Sequence, residues 1–152
     1  MTMHGIAAAY RRDHIENPRI LITPEDVDEM INILLESVIT ECAAQMYSLD
    51  RPRLPSGIFD HSFIIGVRKD RGAGVVSSAD GDCEEPNVVS VGNRELGRGP
   101  VYYCQNGSSF DFPLFSEIPI EKVREVAKEF VASGGKRPNC VDWDVAGYHD
   151  QQ

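Results

Sequence analysis

The last third of the chain constrains the fold more than any other part of the sequence. This part begins with two short apolar runs, at residues 101–104 and 110–113. A helical run follows at residues 119–133, then a Gly/Pro-rich stop at 134–138 and a final apolar run at 141–143. This order predicts two strands, a helix and a closing strand. No catalytic group stands where such a layout would require one, so the pattern favours a binding protein over an enzyme.

The length and charge of the chain limit the classes of partner. The chain has 152 residues, of which 41% are hydrophobic, so we expect one domain, residues 1–152, with a substantial core. Its 24 acidic residues exceed its 15 Lys and Arg residues, for a formal net charge of -9. This balance argues against direct binding of nucleic acid or an anionic membrane, and it favours a basic protein surface as the partner.

The acidic residues are concentrated in particular segments. Residues 20–50 carry seven acids and no Lys or Arg. A second acidic segment, residues 80–85, contains Asp80, Asp82, Glu84 and Glu85. Each segment has two interpretations, a solvated acidic face or a surface that steers a cationic partner.

The termini and the cysteines indicate the compartment. Residues 1–9 are too short and too weakly apolar for a secretory signal, and no run approaches the ~20 apolar residues of a membrane span. We therefore expect a cytoplasmic protein. Four widely spaced cysteines without a Cys-x-x-Cys pair are expected to be free thiols, which fits a reducing compartment: Cys42, Cys83, Cys104 and Cys140.

The first half of the chain predicts a hairpin, a helix and a strand. Residues 5–12 and 18–22 form the hairpin. Thr23 and Pro24 then give a helix start. The apolar stripe of this helix has the i, i+3, i+4 spacing and consists of Val27, Met30, Ile31, Leu34, Leu35 and Val38. Residues 44–49 could continue the helix or switch to a strand, and we favour the strand.

The second half predicts mainly strands, one further helix and a frayed tail. The predicted strands are residues 63–67, 73–78, 87–91, 101–105, 109–112 and 141–145. Asn106-Gly107 predicts a tight hairpin turn. The second helix has an inner stripe of Val123, Val126, Ala127, Phe130 and Val131, and Gly134 predicts its end. Trp143 is expected to anchor the core from the closing strand, and the tail frays from about residue 148.

The search for metal, cofactor and catalytic motifs predicts none of them. Residues 80–85 begin like a calcium loop, but Glu85 stands where glycine is needed and Val91 where a bidentate glutamate is needed. The four histidines lack the spacing of a zinc pair: His4, His14, His61 and His149. No phosphate-binding or dinucleotide-binding loop is present. Cys104 and His61 could form a nucleophilic pair only if the fold brings them together.

Several of these segments, taken in order, resemble one known family. They are Thr23-Pro24-Glu25-Asp26-Val27-Asp28, the strand at 63–67 leading to Asp70-Arg71-Gly72-Ala73-Gly74, Val89-Ser90-Val91-Gly92, Val101-Tyr102-Tyr103, Phe112-Pro113, and the stretch from Ile118-Pro119 through Arg137-Pro138 to Trp143. The family is the first-numbered Imm family of bacterial immunity proteins, which are carried beside polymorphic toxins and are common in actinobacteria. The similarity spans about residues 10–145.

The resemblance implies an α+β fold with a mostly antiparallel sheet flanked by helices. With the elements predicted above, that is about six to seven strands and two main helices. It also implies no catalytic activity and no cofactor, and neutralisation of a cognate toxin by tight binding. Members of the family are associated with toxins that target nucleic acids, among them cytosine deaminases acting on DNA.

The toxin-binding residues are a hypothesis that combines charge with this resemblance. We expect the loop at residues 80–85, with the exposed member of the pair Tyr102 and Tyr103, to contact a basic toxin near its active-site cleft. The acids of that loop are Asp80, Asp82, Glu84 and Glu85. Two other functions remain open from the residues alone: a regulatory or structural interaction module unrelated to toxins, and a small enzyme that uses cysteine or histidine.

Overall fold

The computed structural model describes residues 5–145, and the predicted frayed tail lies outside them. The described residues form ten strands and two α-helices, joined by turns that include four short 3₁₀ segments. The strands are β1 (Ile6–Ala9), β2 (Arg19–Leu21), β3 (Ala43–Ser48), β4 (His61–Arg68), β5 (Ala73–Asp80), β6 (Asn87–Val91), β7 (Val101–Gln105), β8 (Ser108–Phe112), β9 (Ile118–Pro119) and β10 (Asp142–Asp144). The helices are α1 (Pro24–Leu35) and α2 (Ile120–Ala132).

The strands form one large antiparallel sheet and one separate ribbon. The main sheet has the order β10-β6-β5-β4-β3-β1-β2, and the two-residue strand β9 pairs with β5 at its side. The ribbon consists of β7 and β8. The predicted α+β class with a mostly antiparallel sheet is confirmed, and so is the strand assignment of residues 44–49, which lie largely in β3.

The molecule has three layers, because both faces of the main sheet are used. Along β3 and β5, neighbouring residues separate into two clusters: Ala44 and Val76 pack with the helices, whereas Ala43 and Val75 pack with the ribbon. This separation follows from the alternation of side chains along a strand. The helices therefore cover one face, and the β7–β8 ribbon covers part of the other.

Helix α1 begins as predicted but ends earlier than its apolar pattern suggests. The Thr23 hydroxyl accepts a hydrogen bond from the Asp26 backbone N–H, and the Asp26 carboxylate accepts from the Thr23 backbone N–H. At the other end the Ser37 hydroxyl donates to the Ile33 carbonyl, which satisfies a terminal acceptor with a side chain. The prediction that Val38 belongs to the buried stripe is wrong, because Val38 follows the helix and is 65% exposed.

Helix α2 and the closing strand agree with the sequence pattern. Phe130 stacks on Phe63 of β4 with ring centroids 4.0 Å apart, which fixes the helix against the sheet. Gly134 adopts a positive φ of 75° just after the helix, as its predicted role as a stop requires. Trp143 packs against the helix-side core, and its indole Nε1 donates to the Pro138 carbonyl at 2.8 Å.

Candidate functional site

The acidic segment at residues 80–85 is a loop fixed by a buried ion pair. Asp80 is the last residue of β5 and is buried, and both of its carboxylate oxygens bind the Arg51 guanidinium, at 2.7 and 2.9 Å. The hydrogen bonds from Arg51 lower the pKa of Asp80. Asp80 therefore does not present its charge at the surface, because its carboxylate anchors the loop from inside.

Arg51 joins three acidic residues and the end of helix α2. Its guanidinium also lies 3.2 Å from Asp60 Oδ2 and 3.3 Å from Asp82 Oδ2, and it donates to the Gly135 carbonyl. Only 16% of the Arg51 side chain is exposed, and its hydrogen bond to Asp80 raises its pKa. A buried arginine with this many partners holds the loop in one position relative to the sheet and α2. Nothing in the local sequence around Arg51 indicates this role.

The remaining acids of the loop point their charges at solvent. The side chain of Asp82 is 82% exposed, and within residues 5–145 Glu84 and Glu85 are exposed and form no ion pair. Arg137 holds the loop backbone from the other side by donating to the Glu85 carbonyl at 2.7 Å and the Pro86 carbonyl at 3.1 Å. The loop therefore presents three carboxylates on a fixed backbone.

The longer acidic run at residues 20–50 differs, because most of its charges are compensated. In and around α1, Asp28 pairs with Arg124 and Lys128, Glu29 with Arg19, and Glu36 with Lys69. Asp26 is used in the helix cap, and Glu41 lies 3.7 Å from Arg11. The loop at residues 80–85 differs because Asp80 and Asp82 share Arg51, and Glu84 and Glu85 have no cation partner within residues 5–145.

The two adjacent tyrosines lie on opposite faces of the ribbon, as alternation in a strand requires. Tyr103 is fully buried, and its hydroxyl donates to Glu117 Oε2 at 2.6 Å. Burial and this hydrogen bond raise the pKa of Tyr103. Tyr102 is half exposed and stands opposite Asp111 on the outer face. Tyr102 is therefore the exposed member of the pair, and Tyr103 belongs to the core.

The fold places Tyr102 far from the acidic loop. The Tyr102 carbonyl accepts a hydrogen bond from Arg68 at the end of β4, whereas Asp80 pairs with His61 at the start of β4. The two ends are seven residue steps apart, or about 23 Å in an extended strand. Tyr102 and the loop thus border the same sheet at opposite ends and do not form one cluster.

The fold also separates Cys104 from His61, so the nucleophilic pair is not assembled. The Cys104 carbonyl accepts from the Cys42 N–H, and the Cys42 carbonyl accepts from the Val67 N–H. Val67 is six residues from His61 along β4, about 20 Å. The four cysteines are free thiols, as predicted. His61 is occupied elsewhere, because its Nε2 accepts from the Ser48 N–H and its Nδ1 lies 2.8 Å from Asp60.

Two further properties concern metals and membranes. Among residues 5–145, no group of three or more His, Cys, Asp or Glu side chains could hold a metal ion. In the same part of the chain, neither helix has the length and apolar character needed to cross a membrane.

Sequence reasoning missed a partly uncovered surface on the ribbon side of the main sheet. The ribbon covers the row formed by Ala43, Gly66 and Val75, and in the next rows on that side the residues of β3, β4 and β5 are only half-buried. We call this surface the open face; its six residues are half-buried and uncharged: Gln45, Tyr47, Ser62, Ile64, Ser77 and Ala79. These residues alternate with fully buried neighbours along each strand. The sequence alone does not show which side of the sheet they face, because that depends on the register of the strands.

Comparison with known proteins identifies one family. The family model described as Immunity protein Imm1 matches residues 15–144, which include α1, all strands from β2 to β10 and the acidic loop. No curated protein matches the chain.

Proposed function

Because the chain belongs to the Imm1 family of immunity proteins, which act against bacterial toxins, we propose that it binds one cognate toxin and blocks the active-site cleft. The toxin in this proposal is a basic, nucleic-acid-targeting enzyme, either a deaminase or a nuclease. The immunity protein acts in the cytoplasm as a stoichiometric inhibitor and catalyses no reaction itself.

The observation that carries the proposal is the set of three exposed carboxylates on the acidic loop, of which Glu84 and Glu85 have no cation partner within residues 5–145. An enzyme that acts on nucleic acid needs a positively charged groove for the phosphate backbone. Asp82, Glu84 and Glu85 offer such a groove three exposed negative charges, and the net charge of -9 adds long-range attraction. A protein that occupies the groove excludes the substrate.

The rigidity of the loop supports the same proposal. Arg51 and Arg137 fix the loop backbone before any partner arrives, so binding orders few additional groups. Asp80 contributes by positioning the loop, and Tyr103 by supporting the ribbon. Tyr102 is proposed as a separate contact about 23 Å from the loop, outside the cleft itself.

The proposal is tested with the product of the neighbouring toxin gene, purified alone and together with this protein. We expect the pair to co-purify and the toxin's action on DNA to stop at equimolar immunity protein. Cytosine deamination and strand cleavage are measured separately, because they distinguish a deaminase from a nuclease. A toxin that remains fully active at a tenfold excess of the protein would contradict the proposal.

The role of the loop is tested by reversing its three exposed charges. The variant Asp82→Lys/Glu84→Lys/Glu85→Lys is expected to lower the association rate at least tenfold at low salt and to weaken its salt dependence. The control Glu16→Lys/Glu95→Lys/Asp142→Lys changes the net charge equally at exposed acids that form no ion pair within residues 5–145. An equal effect of both variants would assign the steering to net charge and remove the loop from the interface.

A further inference from the structure

We infer that the open face is the central contact surface for the toxin, with the acidic loop as its charged border. This inference rests on the proposed function and adds the location of the interface. It concerns a surface that is distinct from the outer face of the ribbon, where Tyr102 lies.

The first argument is the position of the open face in the sheet. Gln45, Ile64 and Ser77 form one row across β3, β4 and β5, and Ser62 and Ala79 begin the next. The helices cover the opposite side of these strands. On the ribbon side, Val89, which pairs with Ser77, is buried with the ribbon, so the cover of this row ends between β6 and β5. The open face is therefore the part of β3, β4 and β5 that neither layer buries fully.

The second argument is the chemistry of the open face. None of its six side chains is charged, although 26% of all residues in the chain are Asp, Glu, Lys or Arg. The Gln45 amide donates to the Ser62 hydroxyl at 2.9 Å, so two of its polar groups already satisfy each other. A half-buried surface without charge can be desolvated at low cost, as the centre of a protein interface requires.

The third argument is the border of this surface. Ala79 leads through Asp80 into the acidic loop, so the exposed carboxylates adjoin the uncharged rows. At the end of β3, Phe59 packs on Tyr47 with ring centroids 4.2 Å apart. The loop that carries Phe59 also exposes Leu54 and Ile58, by 44% and 62%. An uncharged centre with an acidic border at the loop of residues 80–85 fits a partner with an uncharged centre and Lys or Arg residues that face this loop.

The expected size of the interface requires both borders to take part. A stable protein interface buries about 800 Å² on each partner, which six half-buried residues cannot supply alone. The acidic loop and the loop with Phe59 lie side by side at one end of these strands, where Arg51 joins them, and together they extend the surface. The occupant we infer is therefore the basic domain of the cognate toxin, seated on the sheet and in contact with both loops at its end.

The test places two lysines on the open face and, in a control variant, two at exposed positions away from every proposed contact. Ser77→Lys/Ala79→Lys is expected to weaken binding of the neighbouring gene's toxin at least 100-fold, because it puts cations against a basic partner. The control Asn17→Lys/Asn139→Lys makes the same charge change on exposed residues outside the open face, the ribbon and both loops, and is expected to change affinity less than threefold. Affinities are measured by calorimetry, and urea unfolding checks that each variant is folded.

A milder variant keeps the test decisive if the lysines prevent folding. Ile64→Ala removes apolar contact without adding charge and is expected to weaken binding at least tenfold. If the wild type fails to bind the toxin, the proposed function is wrong. If the wild type binds and Ile64→Ala and the lysine variant bind equally well, only the location is wrong. A wild-type dimer that Ser77→Lys/Ala79→Lys dissociates would instead identify the open face as a self-association surface.

Discussion

Gly66 lies where Tyr103 of the ribbon packs against the main sheet. A Cβ added at Gly66 would stand 2.7 Å from Tyr103 Cδ2 and 3.0 Å from Tyr103 Cβ, closer than carbon atoms pack. Tyr103 is itself fully buried and tied to Glu117 through its hydroxyl, so its ring has little room to move. The absence of a side chain at Gly66 therefore allows the ribbon to lie against the sheet.

The substitution Gly66→Ala is expected to lower the free energy of unfolding by about 1–3 kcal/mol, since it overpacks this contact. Urea unfolding at neutral pH provides the measurement. Gly81→Ala is the matched control, because its added Cβ meets nothing within 4 Å and its φ lies outside the left-handed region. A Gly66→Ala variant as stable as the Gly81→Ala variant would show that the ribbon shifts without cost.

At the scale of the element, α1 depends on a reciprocal cap that the sequence shows directly. Thr23 and Asp26 exchange hydrogen bonds between side chain and backbone, and the Asp26 carboxylate also accepts from the Ile22 N–H at 2.8 Å. These backbone hydrogen bonds lower the pKa of Asp26. The cap satisfies N–H groups at the start of the helix that have no partner within it.

Thr23→Ala is expected to destabilise the protein by about 1 kcal/mol, because the first turn loses its side-chain acceptor. The control Thr40→Ala removes the same atoms from an exposed threonine in the short turn before β3, where no hydrogen bond of the side chain is seen in the described residues. Chemical denaturation of the two variants gives the comparison. Equal stability of both would mean that water replaces the cap without loss.

At the scale of the whole molecule, two buried histidines make stability depend on pH. His14 Nδ1 accepts hydrogen bonds from the N–H groups of Tyr10 and Arg11, each at 3.2 Å, and His61 Nε2 accepts from Ser48 at 2.7 Å. Each accepting nitrogen must be free of a proton. Burial lowers the pKa of both histidines, although Asp13 near His14 and Asp60 near His61 oppose the shift.

The free energy of unfolding is therefore expected to fall as the pH decreases from 7 to 5. The pKa of histidine in the unfolded chain is about 6.5, so the unfolded chain takes up protons that the folded protein excludes. Each histidine therefore lowers the free energy of unfolding by up to about 1.4 kcal/mol for each unit by which the pH falls. Carboxylates with a lowered pKa, such as Asp80, lose their contribution only below about pH 4. The window from pH 7 to 5 thus reports on the histidines.

The double variant His14→Asn/His61→Gln keeps an acceptor at each position and removes the titration. Its unfolding free energy, measured in urea at several pH values, is expected to change less steeply between pH 7 and 5 than that of the wild type. An unchanged slope would assign the pH dependence to other groups.

Local patterns in the sequence determined the types of the elements, the α+β class and the acidic character of the protein. These features depend on spacings of two to four residues, as in the cap at Thr23, the stripe of α2 and the turn at Asn106-Gly107, so they can be read without the fold. The resemblance to a known family was also readable, because it rests on the order of short motifs.

Only the tertiary structure decided which acidic residues are free and where the surface is uncovered. Arg51 lies 29 positions from Asp80, and no local rule selects this partner; the same holds for Arg124 and Asp28, 96 positions apart. The burial of Tyr103 and the exposure of Tyr102 likewise depend on which side of the ribbon meets Gly66. Ion pairing and burial are set by contacts distant in sequence, and these exist only after the strands have taken their register.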